Sequence, residues 1–405
     1  MHHRMIFPLL FVALLSLALA LPAAAQEAPP AEPPPYTFGG SITFTYLPPA
    51  DMTITNAEIF IQEVEGGIES IAGTATISEG QATYILDLNK NSLRAFSEVE
   101  YWFEITPAEQ APFATPHQRF FYEDNRFTWQ TLEGGPFRVH WYEGDVSVGQ
   151  NVLNAAQAGL ERARLLLGPI PDPQITNIYV YASGQELQSA LRLGGLTWVA
   201  GHADPDLALV MVSLPTGPDQ KRETERQIPH ELMHIFMYQI TGDGYAYIPT
   251  WFKEGVASAN ELRPNADYYV ILNNAVGKDS LIPLINLCQS FPKDANVYLA
   301  YAEADSFVRY LHQQYGANGL SAMMTSYAGG AGCEVGSQPA VGSTLTQLER
   351  SWQREVLGQE VILAALESLL PWLILLAVVL VAPVILTVAN LRSRKHQKEK
   401  ASLAA

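Results

Sequence analysis

The hydrophobic period of this chain changes once, near residue 130, and that change limits the architectures open to it. Between 36 and 129 the short runs 41–46, 57–62, 82–87 and 98–104 alternate apolar and polar residues and are broken by turn residues. Alternation sends successive side chains to opposite faces of a strand, so this part is expected to form a small antiparallel β-sandwich over 36–130, immunoglobulin-like in general form. From 137 the rhythm mixes. Strand-like runs at 137–142 and 177–182 are separated by helical apolar spacing through Val152, Ala155, Leu160, Ala163, Leu166 and Leu167. A helix is expected around 185–193, then two strand-like runs at 198–203 and 207–214, then helices. Sheet first and helices afterwards predict an α+β domain over 137–358. No internal repeat is visible.

The two ends read as targeting segments. His2, His3 and Arg4 precede an apolar run over 5–21 and the small residues Ala23, Ala24 and Ala25, the pattern of a secretory signal peptide over 1–25. An uncleaved N-terminal anchor fits the same pattern. The segment 26–35 is rich in proline and alanine and reads as an extended linker. At the other end, 24 consecutive positions, 368–391, carry no charged side chain. A hydrocarbon core of ~30 Å needs ~20 apolar residues at the helical rise, so a single transmembrane helix is expected there. Trp372 is placed as an interfacial aromatic, and Arg392, Arg394, Lys395, Lys398 and Lys400 mark 392–405 as a basic cytoplasmic tail. The expected topology is therefore a single pass through the cell membrane, with the N-terminal body outside.

With 48% hydrophobic and 16% charged residues the chain can bury a sizeable core, and its net charge of -17 argues against nucleic acid as a partner. The two cysteines, Cys288 and Cys333, fall in the part expected outside the cell, which predicts one disulfide rather than two free thiols. Closing that loop would stabilise the fold by roughly 4 kcal/mol in the chain-entropy relation.

The chemistry concentrates in His230-Glu231-Leu232-Met233-His234. Residues four apart lie on one helix face, so both imidazoles can address one ion. Zinc accepts imidazole nitrogen readily, and Glu231 would sit within reach of the water on that ion without being a ligand. Chance alone yields such a pattern on the order of 0.02 times in a chain of this composition. A catalytic zinc needs a third protein ligand and an open position. The block Pro249-Thr-Trp-Phe-Lys-Glu-Gly-Val-Ala257 supplies one carboxylate, Glu254, twenty positions beyond His234. Thr250 can cap a helix carrying Glu254, and Gly255 would let two helices approach closely. Glu254 is read as the third ligand of one zinc ion, the plain alternative being a surface glutamate.

His-Glu-x-x-His followed by Trp-x-x-Glu-Gly-x-Ala resembles the gluzincin metallopeptidases, and most closely the bacterial peptidase MA-like families. The resemblance covers the catalytic half and implies a thermolysin-like domain of mixed sheet plus helices. It also implies hydrolysis of peptide or protein substrates, with His230, His234 and Glu254 as ligands and Glu231 as base. Two features depart from the pattern. The Gly-x-Met-Glu-Asn segment of the aminopeptidases is not found, and Pro229 precedes the first ligand, where it must start the helix or kink it.

The resemblance also implies an edge strand pairing with substrate at 207–213, although so apolar a run equally suits a core strand. It implies a helix bearing Tyr298 and Tyr301, the latter a catalytic phenol that could stabilise an oxyanion, although Tyr301, Ala304, Val308 and Leu311 also make a core stripe. His202 lies beside the expected edge as a substrate contact or turn residue. Asn260 and Glu261 could orient an imidazole or be surface residues. His117, His140 and His312 read as structural or exposed. The leading expectation is a membrane-anchored, extracytoplasmic zinc metallopeptidase. The competing readings are a non-catalytic surface-binding module on a degenerate peptidase scaffold and a zinc hydrolase of a non-peptide substrate.

Overall fold

The computed structural model describes residues 33–66, 70–171, 174–191, 201–358, 369–381, 383 and 386. The expected signal peptide, most of the linker and the basic tail lie outside the described residues. The expected span at 368–391 lies partly outside them. Residues 369–381 are helical and exposed, and among the described residues no helix is long and apolar enough to cross a membrane.

The alternating N-terminal half folds into two antiparallel sheets. The first contains β1 (Tyr36–Thr37), β2 (Ser41–Tyr46), β5 (Thr76–Ser78) and β6 (Gln81–Asp87), ordered β1-β2-β6-β5. The second contains β3 (Ile54–Glu63), β4 (Ile71–Thr74), β7 (Ser97–Pro107), β8 (Phe113–Ala114) and β9 (Gln118–Tyr122), with β7 pairing β3, β8 and β9. Ile42 and Phe44 from β2, Ala82 and Leu86 from β6, and Ala57, Ile59, Ile61, Val99, Phe103 and Ile105 from the second sheet share one buried core. The period-two pattern places these residues on the inner faces.

A third sheet follows, from β10 (Gln130–Gly134), β11 (Phe137–Trp141), β12 (Thr176–Tyr181), β13 (Gly201–Asp204) and β14 (Leu209–Ser213), ordered β10-β11-β12-β14-β13. The three central strands run parallel and both outer strands antiparallel. Burial of all five residues of β14 and of five of the six in β12 shows that both faces are covered. Ile178, Val180, Val210 and Val212 enter the core made with the helices. Tyr179, Tyr181, Leu209 and Met211 enter the core made with the N-terminal sheets and α2 (Gly184–Leu191). Phe96 stacks on Tyr179 at 3.6 Å between ring centres. Two polar ties cross the same seam. Arg94 bonds Glu63 at 2.7 Å and Asp206, in the β13–β14 turn, at 2.8 Å. The fully buried Asp124 accepts from Arg126 and from the Tyr181 hydroxyl at 3.0 Å. The mixed α+β architecture expected from the sequence is present, with the N-terminal sheets packed on the back of the third sheet.

On the other face lie α1 (Val146–Leu167), α3 (Gln220–Thr241), α4 (Thr250–Asn260), α5 (Ala266–Gly277) and α6 (Val297–Ala328, bent at Gly316), followed by α7 (Gln338–Val341) and α8 (Leu345–Glu355). A β-carbon on Gly255 would come within 2.5 Å of the Ala304 carbonyl, so glycine lets α4 lie against α6. Cys288 and Cys333 form the expected disulfide, with Cα atoms 6.1 Å apart.

Candidate active site

Pro229 does not start α3. It lies inside it, nine residues after Gln220. A proline has no N–H for the carbonyl four residues back, which frees that of Glu225. Leu262 N takes it at 3.0 Å, while Asn260 Nδ2 donates to the Pro229 carbonyl at 2.8 Å. The segment 260–262 thus clasps α3 just before the first histidine. Between those two bonds sits Glu261, whose Oε1 lies 3.2 Å from Nδ1 of His230. The proline that disturbs the helix creates the seat for the carboxylate that holds the ring.

His230 and His234, one turn apart on α3, meet Glu254 from α4. Glu254 Oε2 is 3.4 Å from His230 Nε2 and 3.9 Å from His234 Nε2, and one donor atom from each residue lies within 4.8 Å of the others. Two donors ~2.1 Å from one ion at tetrahedral angles stand about 3.4 Å apart, so this spacing suits zinc. The outer ring nitrogens are both engaged, His230 Nδ1 by Glu261 and His234 Nδ1 by the Tyr245 hydroxyl at 2.9 Å. Such partners leave Nε2 of each ring for a metal. The donor set is that of a two-His-one-Glu zinc site.

Burial works against a charged ring at His230, but the carboxylates of Glu254 and Glu261 outweigh it and hold its pKa up at about 10. Burial, joined by the charges of His230 and Lys253, pushes His234 down to about 4. Burial opposes ionisation of Glu254 too, yet the two imidazoles keep it down at about 2. A bound ion must displace the His230 proton, since ligating imidazole is unprotonated. Burial raises the Glu231 carboxyl. Burial also raises the Tyr301 phenol, with Glu254 and Glu231 adding to it, and its hydroxyl hydrogen-bonds the Glu254 carboxylate.

His230, Glu231 and Tyr301 face a cleft of about 550 Å³ lined also by Gly201, Gln227, Tyr268 and Tyr298 among others. The substrate-pairing edge expected at 207–213 is not an edge. β14 is wholly buried between β12 and β13, as an apolar run covered on both faces should be. Among the described residues the outer strand is β13. It turns Gly201 toward α3, whereas His202, paired in register with Met211, shares the opposite face with Asp204 and hydrogen-bonds it at 3.2 Å. His202 is not among the residues lining the cleft, although its charge acts on Glu231 and His234. Of the other histidines, His117 stacks on Trp102, His140 stacks on Tyr179, and His312 meets the Leu165 carbonyl. Sequence reasoning missed Gly201 and Tyr245. Neither carries a periodic signal, and each matters only through a partner on another element.

The family model for the Peptidase MA superfamily matches residues 155–358, half of the chain, and the chain belongs to that superfamily. No curated protein matches the chain. Among solved structures, it is similar to a mutant M1 zinc metallopeptidase bound to a Tyr-Ser-Ala substrate, from Deinococcus radiodurans. That match has 14% identity and a TM-score of 0.32, covering 77% of this chain and 62% of that one. The chain thus spans less than two thirds of that enzyme. A similar match is an aminopeptidase N family protein from Idiomarina loihiensis, with 10% identity, a TM-score of 0.33, and coverage of 80% and 73%. A Br derivative of BhCBM56 matches 20% of this chain and 80% of its own, with 12% identity and a TM-score of 0.17.

Proposed function

We propose that this chain is a zinc-dependent metallopeptidase anchored in the cell membrane by 368–391, with its body outside. The observation that carries the catalytic part is the convergence of His230, His234 and Glu254 to within 4.8 Å beside the half-buried Glu231. A zinc ion held there supplies Lewis acidity that activates water and polarises a carbonyl.

The chain's own groups account for the rest. Glu231 accepts a proton from the attacking water as it adds to the scissile carbonyl, and delivers that proton to the amine as the C–N bond breaks. Its raised pKa suits a group that must both take and give a proton. The Tyr301 phenol, protonated throughout the physiological range, donates to the carbonyl oxygen as charge develops there. Extended substrate lies along β13, on whose outer side no strand pairs among the described residues, and adds to it as a further strand. Glu261 holds His230 in place, and the immunoglobulin-like N-terminal sheets brace the third sheet from behind. The organisation we adopt is signal peptide 1–25, linker 26–35, sandwich 36–130, peptidase 137–358, membrane helix 368–391 and tail 392–405. The charge pattern of the two ends supports the orientation.

Incubation of the purified chain with a diverse peptide library, with and without chelator, tests this reading. Chelator-sensitive cleavage that Glu231→Gln abolishes is expected. Metal retention without cleavage of any peptide would instead indicate a binding module or a hydrolase of other bonds.

A further inference from the structure

The two imidazoles of the cluster are backed by different chemistry. His230 leans on a carboxylate, whereas His234 leans on a neutral phenol, Tyr245, at 2.9 Å. Tyr245 lies in the short 3-10 helix Gly242–Tyr247 that joins α3 to α4. Its ring packs 6.1 Å from that of Tyr238, and the Lys253 ammonium sits 4.8 Å from its centre. The turn is itself seated on the end of α6, so closely that a β-carbon on Gly244 would come within 2.7 Å of the Ala328 carbonyl.

We propose that Tyr245 is a positioning residue for the metal centre, fixing the His234 ring with Nε2 toward Glu254 and so joining metal retention to the shape of the turn 242–247. The proposal rests on the reading of His230, His234 and Glu254 as a metal site. A histidine ring can turn over about its Cβ–Cγ bond and exchange its two nitrogens, and only a partner on one of them makes one orientation preferred. Ligation through Nε2 leaves the ring proton on Nδ1, which donates to the phenolic oxygen. Gly244, packed on the Ala328 backbone, seats the turn against α6, so the phenol is presented from a defined position. Binding linkage is reciprocal, so a hydroxyl that helps hold the metal lets the metal help hold the turn.

Tyr245→Phe in the full chain removes the hydroxyl and keeps the ring that Lys253 and Tyr238 contact. Competition against a chelator should show zinc held roughly 10–100-fold more weakly, the range usual for loss of an outer partner. Hydrogen exchange gives a readout free of activity. In the wild-type chain, stripping zinc should speed exchange across 242–247, and in Tyr245→Phe the zinc-loaded and zinc-stripped proteins should differ less there. Equal zinc affinity in the two proteins overturns the inference and leaves the peptidase reading standing. So does an exchange rate in the wild-type turn that ignores zinc. A wild-type chain that holds no zinc overturns both.

Discussion

Gly201 lies against Glu231 so closely that a β-carbon on the glycine would stand 2.5 Å from Oε1 of the carboxylate. The outer strand of the third sheet and the acid one residue beyond the first histidine therefore share a space that only a residue without a side chain leaves open. Gly201→Ala should push the Glu231 carboxylate aside and leave the zinc donors untouched. Misplacing a reacting group by ~1 Å can cost about 10²-fold, and a kcat loss of that order is expected, with zinc content and thermal stability near wild type. Steady-state kinetics beside metal analysis will check it. A variant with unchanged kcat contradicts the placement of Glu231.

Glu231→Gln keeps the shape of the side chain and removes its capacity to accept a proton. The expected result is one zinc per chain with turnover reduced roughly 10²–10⁴-fold, the usual contribution of a positioned acid–base group. Undiminished cleavage by this variant would assign the base elsewhere.

Tyr301→Phe tests the phenol. Its ring is 4.9 Å from Phe291 and 6.3 Å from His230, packing that phenylalanine preserves. If the hydroxyl serves the developing oxyanion, kcat should fall about 10²–10³-fold while KM moves little. If Tyr301 only fills the helix stripe, both constants should stay near wild type.

Glu303 on α6 is buried, and burial pushes its pKa up to about 8, although Ile282 N donates to it at 2.9 Å. The unfolded carboxyl titrates near 4.5, so between that pH and about 8 the folded state binds the extra proton. Its contribution is complete below pH 4.5 and is lost as pH rises through the folded value, at roughly 1.4 kcal/mol per unit of pKa difference. Glu303→Gln keeps an acceptor for Ile282 N and cannot ionise. Urea unfolding across this window should show the wild type weakening with pH and the variant weakening less. Parallel curves would contradict the account.

Much of this arrangement was readable from residue order. His230 and His234 are four apart on a helix, Glu254 follows in a block with its own helix signals, and Gly255 announces a close helix contact, all local patterns that need no tertiary knowledge. The disulfide followed from two cysteines in the part of the chain expected to lie outside the cell. What escaped depended on register and on partners far along the chain. An apolar strand such as β14 reads the same at an edge or in the middle, and only pairing with β13 decides. His202 falls on the far face because it pairs with Met211, a fact of register. Pro229 reads as a helix start or a kink, and the sequence does not choose between them because its compensation comes from Leu262, 33 residues later. Tyr245 sits in a glycine-flanked turn with no periodic signal at all.

The account turns most directly on the identity and position of one ion. X-ray absorption at the zinc edge on the purified, zinc-loaded chain, compared with His234→Ala and Glu254→Ala, measures both. One zinc per chain is expected, bound by two imidazole nitrogens at ~2.0–2.1 Å and by oxygen, with the imidazole signal halved in His234→Ala and zinc weakly held in Glu254→Ala. A wild-type chain free of zinc, or a zinc whose surroundings ignore both substitutions, would contradict it.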